Sequence, residues 1–353
     1  MDKLVLIDGN AILHRAYHAY PPLTTSKGEL INAVYGFTSI LLTVLKQIKP
    51  KYVAVTFDKK APTFRHIEYK AYKAHRPKMD EELVGQIDRV HEVVRTLNMP
   101  IFEIDGFEAD DVIGTLAKKV VDINVIANFS LRKRKLPKVK QACYGAGKSA
   151  KTKELEVIIV TGDYDTLQLV NKNVRVMMPP RGKQPAAIFN KEAVIKKYGF
   201  TPNYIIDFKA LVGDASDGIP GVTGIGPKTA TDLINQFGTI ENIYRELGIT
   251  LDKKKATRKS QIKTSVLQKL FDGAELAKLS KRLATIVTNV PLKLNLEKCR
   301  LLDYDRKKAI ELFEKLEFRT LINRLPSESW EEIIKEKPVE KEQEKKEEQM
   351  GLF

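Results

Sequence analysis

Gly106-Phe107-Glu108-Ala109-Asp110-Asp111-Val112-Ile113-Gly114 sets three carboxylates within four positions. The stretch then runs on through Leu116, Ala117, Val120 and Val121 at helical spacing, so the acids fall in the first turn of a helix. A helix dipole favours acids at that end, which accounts for one or two of them as ordinary N-terminal charge. Three together repel one another when ionised, and a divalent cation makes such a cluster tolerable. The metal reading gains only if further carboxylates arrive at the ends of other elements.

Upstream, Leu4-Val5-Leu6-Ile7 is a continuous apolar run closed by Asp8-Gly9-Asn10, the pattern of a strand buried on both faces. Tyr52 to Phe57 repeats it, and Asp58 follows at once. Val34, Phe37, Leu41, Val44, Leu45 and Ile48 predict a helix over 33–47; Val90, Val93, Val94 and Leu97 predict another over 82–97. Pro100 to Ile104 reads as a third strand leading into the acidic helix, and Glu156 to Thr161 as a fourth, ended by Gly162-Asp163-Tyr164-Asp165. Alternating strands and helices imply an α/β fold with a parallel sheet, whose ligands bind at the carboxyl ends of the strands. Each aspartate alone is equally explained by turn chemistry.

Two further stretches stand out. In Gly213-Asp214-Ala215-Ser216-Asp217-Gly218 through Gly221, Gly224, Gly226, Pro227, Lys228, Thr229 and Ala230, the acids read as capping residues or as ligands. The glycines allow close backbone approach, and Pro227 opens a helix whose free amides, with Lys228, make a phosphate seat. Residues 59–81 interleave Lys59, Lys60, Arg65, His66, Lys70, Lys73, His75, Arg76 and Lys78 with Phe64, Tyr69 and Tyr72. Such a stretch is either a solvated loop or a surface for a single-stranded end, phosphates meeting cations and bases stacking on rings.

The chain has 353 residues and a formal net charge of +15, with Lys and Arg grouped in runs, which suits a polyanion partner. Basic runs fill 123–154 and the loop 251–265. Cys143 and Cys299 alone support neither a disulfide framework nor a thiolate zinc site. With no transmembrane-length apolar run and no signal-peptide pattern after Met1, a cytoplasmic protein is expected. Asp8, Asp58, Glu108, Asp110, Asp111, Asp163, Asp165, Asp214 and Asp217 form an all-oxygen donor set, which selects Mg²⁺ or Mn²⁺ over zinc. Two ions about 4 Å apart would clamp a phosphodiester, so no His or Ser nucleophile is needed.

The ordered motifs now resemble one family. Asp8-Gly9-Asn10, Phe57-Asp58 with Phe64-Arg65-His66 and Tyr72-Lys73-Ala74-His75-Arg76-Pro77, Gly106 to Asp111, Thr161-Gly162-Asp163-Tyr164-Asp165, and Gly213 to Ala230 are similar to those of the 5′ nuclease (flap endonuclease) family, and most of all to the 5′-3′ exonuclease domain of bacterial DNA polymerase I. The likeness runs from Lys3 to about Pro326. It implies a PIN-like domain over 1–170, with a helical arch at about 59–97. It also implies a helical region over 171–330, with a helix-hairpin-helix near 205–237 that grips duplex DNA and a potassium ion.

By the same resemblance, Asp8, Asp58, Glu108, Asp110 and Asp111 surround the first ion and Asp163, Asp165, Asp214 and Asp217 the second. Lys73 and Arg76 become cations at the scissile phosphate. Arg65, Lys70, Tyr72, Gly221, Gly224, Gly226, Lys228 and Thr229 become DNA contacts. The family usually has Asn where this chain has Gly218, and the insertion at 123–154 has no counterpart in it. No polymerase follows residue 330. Instead a charged string, 331–348, leads to Gln349-Met350-Gly351-Leu352-Phe353, which resembles a peptide that docks on the bacterial sliding clamp through Gln349, Leu352 and Phe353. The expectation is a monomeric, stand-alone, Mg²⁺-dependent 5′-3′ exonuclease and flap endonuclease at the nucleoid, acting on DNA with 5′ flaps, nicks or RNA primers. The alternatives are a PIN-like ribonuclease and a non-catalytic, clamp-tethered DNA-binding adaptor.

Overall fold

Alternation in the first strand decides the layering. In the computed structural model, which describes residues 1–133, 154–180, 184–249, 262–301 and 304–327, strand β1 (Asp2–Asp8) sends Leu4 and Leu6 into one apolar cluster and Val5 and Ile7 into another. Side chains of period two feed two cores from a strand buried on both faces. With β2 (Tyr52–Thr56), β3 (Ile101–Phe102), β4 (Leu155–Val160), β5 (Val174–Met178) and β6 (Ala187–Phe189), it forms one sheet in the order β3-β2-β1-β4-β5-β6. All neighbours pair in parallel except β6, which runs antiparallel to β5. The strand order reverses between β1 and β4, and in such sheets the crevice at the carboxyl ends beside that reversal is the binding position.

Helices cover both faces. Gly9–Ala19, Asn32–Ile48 and Ile87–Thr96 lie on the Val5 and Ile7 side, while Ala109–Lys133, Ile205–Val212 and Pro227–Phe237 lie on the Leu4 and Leu6 side. The helix expected over 82–97 is split into Glu81–Val84 and Ile87–Thr96. Gln86, between them, is buried and accepts from the amides of Ala33 (2.9 Å) and Val34 (3.3 Å), capping the helix Asn32–Ile48, whose own N-cap residue offers no side-chain bond. Thus 81–97, expected in an arch, belongs to the layer on the sheet, and only the earlier part, including the short helix Phe64–Glu68, overlies the acidic edge.

The expected boundary at residue 170 falls inside the sheet, because β5 and β6 extend it. Residues 306–321 also return to the core of Val5 and Ile7: helix Arg306–Lys315 buries Phe313 there, followed by Phe318 and Leu321. Most of the basic insertion, most of the loop 251–265, the linker 331–348 and the peptide 349–353 lie outside the described residues. Among the described residues, no helix is long and apolar enough to cross a membrane.

Candidate active site

Asp8 closes β1 and caps the next helix. Its Oδ1 accepts from the Ala11 amide (2.9 Å) and its Oδ2 from the Thr161 hydroxyl at the end of β4 (2.7 Å). Burial pushes the Asp8 carboxyl up to about 6, with Asp58 and Asp163 adding to the rise. Asp58, just past β2, accepts from the Ala109 amide (2.6 Å) at the start of the acidic helix and from Asn10 Nδ2 (3.0 Å). Asn10 Oδ1 in turn accepts from the Asp58 amide (3.1 Å), so the turn after β1 fixes the acid after β2. Asp163 caps the turn after β4 by accepting from the Asp165 amide (2.8 Å). Asp110 Oδ1 is buried with no hydrogen-bond partner. Burial raises its carboxyl well above the ordinary range, and the charges of Asp163 and Asp8 raise it further.

The other acids are held by cations. Asp111, fully buried, takes both ends of the Arg65 guanidinium at 2.7 and 2.8 Å and also accepts from the amides of Glu108 (3.1 Å) and Val287 (2.8 Å). Glu108 accepts from Tyr72 (3.1 Å) and Lys73 (3.0 Å). Asp217 accepts from Arg76 Nη2 at 2.5 Å and Tyr72 at 3.3 Å, with Lys73 Nζ 3.8 Å away. Lys209 bridges Asp165 and Asp214. Burial raises Asp165 to about 7, with Asp163 adding to the rise and Lys209 opposing it. On Asp214 burial acts upward, but Lys209 and Ser216 hold the carboxyl below its ordinary value.

Several expected DNA contacts take other positions. Arg65 is 2% exposed; beyond Asp111 it donates to the carbonyls of Leu283 and Thr285, both at 2.8 Å. These carbonyls close the helix Ala274–Ala284, so Arg65 is a buried joint with four of its five N–H donors engaged within the protein, not an exposed phosphate contact. Tyr72 is likewise buried, with its hydroxyl on Glu108 and Asp217. Gly221 is buried and donates to Ser280 (2.9 Å). The Gly224 carbonyl accepts from Lys269 (3.0 Å). Lys70, Gly224 and Lys228 are exposed, and Gly226 and Thr229 partly so. The helix Pro227–Phe237 begins without a side-chain cap, so its first amides stay available. Sequence reading missed Lys209 and Thr161. The signal for Lys209 was a lone ammonium within Ile205-Ile206-Asp207-Phe208-Lys209-Ala210-Leu211-Val212.

Beside the acids opens a cleft of about 1010 Å³, lined by His14, Arg15, His18, Tyr164 and Lys197 together with Asp163, Asp165 and Asp214. Among the described residues, no three acidic, histidine or cysteine side chains stand in a ligating array; Lys73, Arg76 and Lys209 are interleaved with the acids instead. The donor chemistry is nonetheless that of a hard cation. A buried carboxylate oxygen without a partner, among other carboxylates, lacks the positive charge that burial requires.

Residues 3–128 match the family model described as the 5′-3′ exonuclease N-terminal resolvase-like domain, and residues 200–307 that of the 5′-3′ exonuclease C-terminal SAM fold. Among curated proteins, DNA polymerase I of Caldicellulosiruptor bescii is 41% identical over 325 residues, 92% of this chain and 33% of the relative. DNA polymerase I of Bacillus caldotenax is 37% identical over 340 residues, 96% of this chain and 34% of the relative. The chain thus spans about a third of the length of these relatives. Solved structures share the fold, these two among them. Bacteriophage T5 5′-exonuclease with bound divalent zinc ions has a TM-score of 0.58 and 20% identity, over 92% of this chain and 99% of that one. The catalytic core of Rad2 in complex with DNA substrate has a TM-score of 0.52 and 14% identity, over 92% of both chains.

Proposed function

This chain belongs to the 5′-3′ exonuclease family, and from that premise we propose that it hydrolyses phosphodiesters of DNA, and of RNA primers, as a 5′-3′ exonuclease and flap endonuclease dependent on divalent metal. The observation that carries the metal reading is Asp110 Oδ1, buried without a partner beside Asp8 and Asp163 at the reversal of the sheet. Asp8, Asp58, Glu108, Asp110 and Asp163 would hold one Mg²⁺, or Mn²⁺ in its place, and Asp165, Asp214 and Asp217 would contribute to a second. When bound, such ions supply Lewis acidity and neutralise charge on the phosphodiester.

The chain's own residues do the rest. Arg65 holds Asp111 with both ends of its guanidinium, so that turn of the acidic helix is anchored when charge enters beside it. Lys73 and Arg76, which here neutralise Glu108 and Asp217, are the cations within reach of an incoming phosphate. Lys209 keeps Asp165 and Asp214 together across the joint between sheet and helical region. Free amides at Pro227–Phe237, with Lys228, grip a duplex backbone without reading sequence. Substrates are DNA with 5′ flaps, nicks or RNA primers, as in lagging-strand maturation and repair. Gln349, Leu352 and Phe353, outside the described residues, are read as a sliding-clamp docking peptide.

A labelled 5′-flap duplex incubated with Mg²⁺ or with EDTA, alongside single-stranded RNA, tests this reading. Flap cleavage is expected with Mg²⁺ only, and Asp110→Asn should lower its rate by about a hundredfold or more while DNA affinity in EDTA holds. Normal turnover by Asp110→Asn, or preference for the RNA, would sink the assignment.

A further inference from the structure

We propose that Tyr164 is a stacking platform for one nucleobase of the strand whose phosphodiester is cut; the proposal rests on the nuclease reading above. Tyr164 sits between Asp163 and Asp165, the two acids of the turn after β4, yet the residue is 44% exposed. The ring is braced without being covered. Phe189 of β6 meets it edge-on, with centroids 5.9 Å apart and planes at 79°, and the Lys197 ammonium lies 4.6 Å from its centroid. Edge-to-face and cation contacts both exploit the ring's quadrupole and fix its orientation. A large aromatic held in this way, and left open at the lip of an acidic cleft, is arranged to receive something flat.

The cleft states what that is. The helix Gly9–Ala19 presents His14, Arg15 and His18 to the same cleft as Tyr164, on one side of the helix by their spacing. Acids, the Arg15 guanidinium with two imidazole donors, and an aromatic ring around one cleft match the parts of one nucleotide beside a reacting phosphodiester: phosphate toward Arg15 and the imidazoles, base onto the ring. Every base offers a π-face, so such a seat positions the strand without choosing its sequence.

The test is a 5′-flap duplex carrying a single abasic nucleotide, walked through the positions on either side of the scissile phosphate. Binding is read in EDTA and cleavage in Mg²⁺. For the wild type, one position should weaken binding by about tenfold. Tyr164→Ala and Tyr164→Leu should weaken binding of the intact substrate by the same factor and be indifferent to the abasic site at that position. Tyr164→Phe should retain the position-dependent loss. Leucine keeps apolar bulk against Phe189, so wild-type behaviour of Tyr164→Leu would overturn the platform, as would an equal penalty for Tyr164→Ala at every abasic position. A wild-type protein that neither bound nor cut the intact flap would overturn the nuclease reading and the platform together, whereas normal cutting without the signature overturns the platform alone.

Discussion

Asp110 and Asp111 share one turn of helix but meet opposite surroundings, because successive residues project about 100° apart around the axis. Asp110 stands among Asp8 and Asp163 with an oxygen buried and unpartnered. Asp111 turns into the joint between that helix and residues 283–287, where Arg65 and two amides consume its oxygens. A buried charge is tolerable when paired and hydrogen-bonded, and costly otherwise. The same residue type, one step apart, is therefore fully paired in one place and left with a buried, unpartnered oxygen in the other, the oxygen proposed to meet a cation.

The largest expected effect breaks the paired half. Arg65→Ala leaves Asp111 buried and uncompensated and strips the carbonyls of Leu283 and Thr285 of a donor. It should cost about 3–5 kcal/mol of unfolding free energy, read as a lower urea midpoint. Asp110→Asn, which removes a repelling charge, should be neutral or stabilising in the same titration. Similar midpoints for the two variants would erase the distinction between the acids.

Much of this site was legible in the sequence, for a physical reason. Parallel strands buried on both faces read as continuous apolar runs, so Leu4 to Ile7 and Tyr52 to Phe57 declared themselves, and Asp8 and Asp58 were placed at their ends. Partner choice was not legible. Arg65 and Tyr72 sit in a basic, aromatic stretch that looks like a nucleic-acid surface, and only the fold brings Asp111 onto one and Glu108 and Asp217 onto the other. The reach of Lys209 to Asp165 was not legible, because Asp165 lies 44 residues away in sequence. β5, whose apolar run is broken by Arg175, and β6, three residues long at the edge of the sheet, carried too little pattern to move the expected boundary beyond residue 170.

The unpaired half is sharpened by pH. The Asp8 carboxyl is raised from 3.8 to about 6, chiefly by burial, so the native state binds a proton more tightly than the unfolded chain does. The stability this confers is fully present below about 3.8 and is lost as pH rises through about 6. Asp8→Asn cannot ionise. In EDTA its stability relative to the wild type should climb between pH 4 and 7 by up to about 3 kcal/mol. The lost hydrogen bond to Ala11 or Thr161 adds only an offset that does not vary with pH. Urea midpoints across that range measure the slope, and a flat difference would mean that Asp8 is not strained by its charge.

The smallest effect concerns how the cations are delivered. Gly218 has φ +69°, and a Cβ there would lie 2.5 Å from the Ala71 carbonyl oxygen. Beside that approach, the Lys73 amide donates to the Asp217 carbonyl at 2.8 Å, with Lys73 itself at φ +52°. The turn bearing Lys73 and Arg76 therefore rests directly on the turn bearing Asp214 and Asp217, backbone against backbone. Asparagine tolerates the left-handed region better than most residues, so the dihedral angle alone would admit the Gly218→Asn substitution. The contact with Ala71 would not, and relieving it means lifting residues 71–73 and loosening one hydrogen bond, at about 1 kcal/mol. Amide exchange at Lys73 should quicken several-fold in Gly218→Asn while the urea midpoint moves little. If Lys73 exchange were unchanged, the two turns would have room for a Cβ, and the hold of Lys73 and Arg76 on the acids would not depend on glycine.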